Sequence, residues 1–109
     1  MDRFLTVDEL NEDFARLASE HPDIARFERV GTSSLGEPIS MLSIGSGETN
    51  ILLFACPHTN EPIGAMMLHH LARMLCDDAD LRDGLGYTWN LIPCVDPDGT
   101  RLNEGWFNG

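Results

Sequence analysis

The spacing of hydrophobic residues changes along this chain, and each change marks an element. Leu10, Phe14, Leu17 and Ala18 recur at helical intervals, which predicts an amphipathic helix from about residue 7 to 20. Thr6-Val7-Asp8-Glu9 supplies a capping box, a hydroxyl at the N-cap with a Glu three positions on. His21-Pro22 closes the helix, because the residue before a proline is pushed out of the α region. Ala25 to Thr32 and Pro38 to Ile44 then read as two strands around the polar turn Ser33-Ser34-Leu35-Gly36-Glu37, so the pair is expected to be a hairpin. Beyond the turn at Gly45-Ser46-Gly47-Glu48, the apolar run at residues 51–56 reads as a buried strand.

A helix follows from about residue 62 to 76, ended by Asp77-Asp78-Ala79-Asp80, since carboxylates oppose the dipole at a helix C-terminus. Residues 81–86 read as loop or a short helical turn. Leu85 to Ile92 reads as a last buried strand, with Pro93 at its end because proline donates nothing to a ladder. From Asp96 onward the chain is rich in turn formers. A strand–helix–strand unit implies a right-handed crossover between parallel strands, with the hairpin adding antiparallel neighbours. The expected fold class is therefore α/β, a mixed parallel/antiparallel sheet with flanking helices, in one domain over residues 1–109.

Composition narrows the function classes. At 42% hydrophobic and 23% charged residues, the chain has the balance of a folded globular domain. A formal net charge of -11, with no lysine and seven arginines, argues against nucleic acid as a partner. No apolar run reaches the roughly 18 residues that span a bilayer, so no membrane partner is expected. Met1-Asp2-Arg3-Phe4 lacks the basic, apolar start of a signal peptide, and a cytoplasmic location is the expectation. Cys56, Cys76 and Cys94 show no C-x-x-C spacing, which fits free, mostly buried thiols better than a disulfide framework.

Candidate chemistry centres on His58-Thr59-Asn60-Glu61, between the strand at 51–56 and the helix that follows. Open α/β sheets place ligands at the carboxyl ends of their strands. Imidazole nitrogen and carboxylate oxygen are both zinc ligands, and a catalytic zinc needs three protein ligands and an open position. Taken alone, H-x-x-E is a weak signal; the plainer reading is a loop histidine and a helix-start carboxylate favoured by the dipole. His69 and His70 cannot complete such a site, since eight or nine helical residues carry them about 12–13 Å from Glu61. Asp96-Pro97-Asp98-Gly99 lacks the spacing of a calcium loop and reads as a proline-initiated turn.

Three segments in this order resemble the zinc metallocarboxypeptidases, the carboxypeptidase A-like family. His58-x-x-Glu61 after a strand is similar to that family's first zinc-binding motif, and Val95-Asp96-Pro97-Asp98-Gly99 to its Asn-Pro-Asp-Gly turn. Val30-Gly31-Thr32-Ser33 to Gly36, with Ile39 to Gly45, looks like its opening hairpin. The resemblance implies a Zn2+ cofactor held by His58 and Glu61, and a zinc-activated water that releases the C-terminal residue of a peptide. Asp96 departs from the family's Asn, and Arg101 is a candidate for binding a substrate carboxylate or polarising its carbonyl. The family's second zinc-binding His, its general-base Glu and its Asn-Arg pair stand further along than this chain reaches. The 109 residues thus resemble the N-terminal part of the catalytic domain, incomplete and inactive by itself, with no catalytic base of its own. A zinc deacylase or amidase of the same fold, acting on an N-acyl amino acid, remains a second reading, and a non-enzymatic acidic interaction module a third. An incomplete sheet further predicts an exposed apolar edge and face.

Overall fold

In a computed structural model, residues 6–55, 63–94 and 97–98 are described. The chain opens with helix α1 (Val7–Glu20). Its capping box is complete: Glu9 N–H donates to Thr6 Oγ1 at 3.2 Å, and Thr6 N–H donates to Glu9 Oε1 at 2.9 Å. The helix buries Val7, Leu10, Phe14 and Leu17, a stripe that continues through each turn on one side. The expected hairpin follows as β1 (Ala25–Thr32) and β2 (Pro38–Ile44), paired antiparallel. A register shift between Arg29 and Gly31 puts a bulge near the end of β1.

Then come β3 (Thr49–Phe54), α2 (Ile63–Asp77), α3 (Ala79–Asp83) and β4 (Tyr87–Ile92). The four strands lie in the order β1-β2-β4-β3. β4 therefore sits between an antiparallel neighbour, β2, and a parallel one, β3. This is the mixed sheet that the sequence predicts. Leu42, Ile44 and Leu91 are wholly buried on one face, where they join Phe14 and Leu10 of α1 and Leu68, Ala72 and Leu75 of α2 in a single core. No helix of the structure is long and apolar enough to cross a membrane, among the described residues.

Three expectations need correction. The strand at 51–56 is not enclosed: β3 is an edge strand of the described sheet, and Leu52 and Phe54, both 55% exposed, point away from the helices. Its apolar run reads as buried because alternation is hidden when both faces carry Leu, Ile or Phe. The acidic stretch after α2 ends one helix and starts another, because Asp78 is the N-cap of α3 and accepts from Leu81 N–H at 3.1 Å. The last strand begins at Tyr87, two residues later than its apolar pattern suggests, because Gly86 adopts φ +69° and Leu85 stays exposed.

Two further contacts set how the parallel unit packs. α2 has no basic residue in its last turn, and Arg82 of α3 supplies one. Its Nη1 donates to the carbonyls of Leu75 at 3.1 Å and Cys76 at 3.3 Å, which have no partner within the helix. Gly47 lies against the Gly86–Tyr87 backbone, where an added Cβ would fall 2.1 Å from Gly86 O. Only glycine permits that approach, and Thr88 Oγ1 secures it with a 2.7 Å bond to Gly47 O.

Candidate functional site

The sheet order decides where the candidate chemistry emerges. β3 and β4 are parallel and in register to their last residues, Phe54 opposite Ile92, and Ala55 N–H extends the ladder to Ile92 O at 3.0 Å. Both chains therefore leave the sheet side by side at their carboxyl ends. β2 runs the other way, with Leu42 opposite Leu91, so its first residues and the Ser33–Glu37 turn lie at that same end. Three connections converge there: the chain leaving β3, the chain leaving β4 and the turn of the hairpin.

His58, Glu61 and Arg101, the residues on which the sequence reading rests, lie outside the described residues, as do Asp96 and Cys56. Among the described residues, no group of three or more His, Cys, Asp or Glu side chains is arranged to hold a metal ion. His69 and His70 belong to α2, as expected, and His69 is buried while His70 is exposed. Cys76 is a free, buried thiol, and Cys94 is buried as well. Burial pushes the Cys76 thiol up from its ordinary value of 9.0, reinforced by the Asp77 carboxylate, so it stays protonated and unreactive near neutral pH.

Asp98 is the residue at this end whose role the sequence does not reveal. Its carboxylate reaches across to the hairpin: Ser33 Oγ donates to Oδ1 at 2.7 Å, and Leu35 N–H donates to Oδ2 at 3.1 Å. The Ser33 hydroxyl in turn accepts from Glu37 N–H at 2.9 Å, and Ser33 N–H donates to Glu37 O at 2.8 Å. Gly36 closes the turn at φ +86°, a left-handed conformation that costs a side-chain-bearing residue energy. Pro93 and Pro97, on either side of the chain leaving β4, are fully buried. The carboxylate thus joins two separate turns into one clamp. Ser33 and Asp98 are 65 residues apart, so no local spacing announces the pair. What would have found it is the strand order, which brings both turns to one end.

The fold is that of zinc carboxypeptidases. The carboxypeptidase A of Helicoverpa armigera superposes with a TM-score of 0.86 at 20% identity, over 95% of this chain and 27% of that one. Bovine thrombin-activatable fibrinolysis inhibitor, solved in complex with tick carboxypeptidase inhibitor, gives 0.78 at 15% identity, over 94% and 34%. A metallo-carboxypeptidase from Pseudomonas aeruginosa, solved in complex with (2-guanidinoethylmercapto)succinic acid, gives 0.62 at 26% identity, over 82% and 26%. The chain spans about a third or less of the length of these proteins. Within that span the relationship extends to sequence: the zinc carboxypeptidase profile matches residues 10–107, and the chain belongs to the zinc carboxypeptidase family.

Proposed function

We propose that this chain contributes the first part of a zinc-dependent site that hydrolyses the C-terminal amide bond of a peptide or an N-acyl amino acid. One observation carries the reading. In a chain of this family, His58-x-x-Glu61 follows directly on β3, and the segment with Arg101 follows on β4, its parallel neighbour in register. The carboxyl ends of adjacent parallel strands are where open α/β sheets bind ligands.

The donor set suits the metal. One neutral imidazole and one carboxylate are ordinary zinc ligands, and His58 and Glu61 would hold the ion, which when bound supplies Lewis acidity to a carbonyl and to water. Arg101 offers a planar, permanently charged fork to the substrate's terminal carboxylate or its carbonyl oxygen. Glu61 as a ligand would be held on the cation and made less basic by it, so proton transfer needs a separate carboxylate. Two protein donors are also one short of a catalytic zinc site. The 109-residue chain alone should therefore bind zinc weakly and hydrolyse nothing.

Zinc titration by calorimetry, on wild type and on His58→Ala and Glu61→Gln, tests the metal assignment. The expected result is weak binding that either substitution reduces at least tenfold. Identical zinc affinity in all three proteins would remove His58 and Glu61 from the site. Vigorous release of C-terminal residues by the isolated chain would overturn the claim that it lacks a base.

A further inference from the structure

A polar pair in the seam between α1 and α2 is unused by the proposed chemistry. His69 occupies a core position on α2, in the stripe formed by Ala65, Leu68, Ala72 and Leu75, and its side chain is 9% exposed. Helical periodicity alone would place an apolar residue there. The ring instead lies nearly parallel to Phe14 of α1, with centroids 6.2 Å apart, and its Nε2 stands 3.1 Å from Asp13 Oδ2. A carboxylate only accepts, so the hydrogen belongs on Nε2, and Nδ1 carries the bare lone pair of the neutral ring. Nδ1 is buried and meets no hydrogen-bond partner among the described residues.

That arrangement suits one protonation state. A second proton would have to go on Nδ1, which is buried and faces no acceptor among the described residues. Burial opposes the added charge, and Arg73, one turn further along α2, repels it, as does His70 to a smaller degree. Asp13 favours the charge through its own charge and its hydrogen bond, but its Oδ1 is already taken by Arg16 Nη1 at 2.8 Å. Burial and Arg73 outweigh Asp13 and hold His69 below its ordinary value of 6.5. The other elements packed on α1 and α2 do little to change this. β2 and β3 carry no charged residue; in β1, Arg26 and Glu28 are exposed and 3.9 Å apart, and Arg29 is bound to Gly31 O and Thr32 Oγ1; in α3, Arg82 sits on the last carbonyls of α2 and pairs with the exposed Asp83.

We propose that His69 and Asp13 form an acid-sensitive latch that holds α1 on α2 while the imidazole is neutral and loosens when Nδ1 is protonated. The sign follows from linkage. A histidine that binds its proton less readily folded than unfolded adds stability that is complete above about pH 6.5. That stability is lost as the pH falls through the lower, folded value. The loss falls on the α1–α2 seam, so α1 is the element released, which uncovers the side of the core formed by Phe14 and Leu10. His69 lies eight residues beyond Glu61, and the latch stands or falls independently of the zinc assignment.

Proton NMR of the wild-type chain follows the His69 ring directly, and amide exchange compares α1 with β4. The His69 midpoint is expected below 6.5, and protection of α1 relative to β4 should fall by up to tenfold per pH unit between about pH 6.5 and that midpoint, then level off beneath it. Asp13→Asn should lower the midpoint further, because it removes the charge that favours protonation. His69→Gln keeps a donor to Asp13 without titrating, and should abolish the pH dependence of α1 protection. A wild-type midpoint at or above 6.5, or α1 protection that ignores the midpoint, would overturn the latch. So would a His69→Gln protein that keeps the wild-type dependence. If His69→Gln fails to fold, the wild-type titration and exchange decide alone.

Discussion

Removing the Asp98 carboxylate should detach the chain that leaves β4 from the hairpin. Asp98→Ala deletes the acceptor for both Ser33 Oγ and Leu35 N–H. Hydrogen bonds to a charged group contribute about 1.5–3 kcal/mol each when buried. Here the Ser33 bond is half-buried and the Leu35 bond is exposed, so water replaces part of what is lost. The expected cost is about 1–2 kcal/mol in total, roughly a 5–10 °C drop in Tm for a domain of this size. Urea unfolding of Asp98→Ala, Ser33→Ala and the double variant should yield a coupling energy of about 0.5–1 kcal/mol. Amide exchange adds a local readout, because Leu35 N–H should lose protection while Leu42 and Leu91 keep theirs. Asp98→Asn is a sharper probe. Its Oδ1 can still accept from Ser33, but the amide nitrogen would face the Leu35 N–H, donor against donor, and most of the loss should persist. An Asp98→Ala protein within 0.3 kcal/mol of wild type, with Leu35 exchange unchanged, would show that the clamp contributes nothing.

Five further substitutions examine the packing and the exposed face of the sheet. Arg82→Met keeps the aliphatic stem and removes the donors to Leu75 and Cys76; at 11% side-chain exposure the bonds are poorly screened, and denaturation should show a loss of about 2 kcal/mol. Gly47→Ala forces its Cβ into the Gly86 backbone and should cost about 2–3 kcal/mol, whereas Gly36→Ala, strained at φ +86° but in open space, should cost about 1–2 kcal/mol; equal losses in urea would contradict the close approach. Leu52→Lys and Phe54→Lys replace side chains that are half in water already, and should change stability by less than about 1 kcal/mol while delaying aggregation in light scattering.

Much of the fold was legible because its signals are local. The capping box at Thr6 and Glu9 is two hydrogen bonds within four residues, and both form. The hairpin announced itself through a polar turn between two strand-like runs, and α2 through its length. What escaped the sequence depends on partners far away in the chain. Nothing near Thr49–Phe54 says that β4 pairs with only one side of it, so an edge strand read as an enclosed one. Asp98 looked like a turn former because its partners lie 65 and 63 residues earlier. His69 looked like an ordinary helix residue because Asp13 is 56 positions away. Asp78 was ambiguous for another reason: a carboxylate after one helix is also a good N-cap for the next. The zinc carboxypeptidase family was legible from short motifs in the right order, whereas His58 and Glu61 themselves lie outside the described residues.

The two outer strands of this sheet differ in how they meet solvent. β1 carries Arg26, Glu28 and Arg29 and is bent by its bulge, while β3 is uncharged, unbroken and apolar. The strand between β2 and β3 is the last of the four to be synthesised. While residues 87–92 are still in the ribosome, β2 lacks its second neighbour and β3 has none at all. A nascent chain therefore holds a local hairpin beside a bare, sticky segment, and the ladder that joins them must close across some forty residues. Such non-local closure is slow compared with helix or hairpin formation. During synthesis, Thr49–Phe54 is thus the stretch a chaperone would find first.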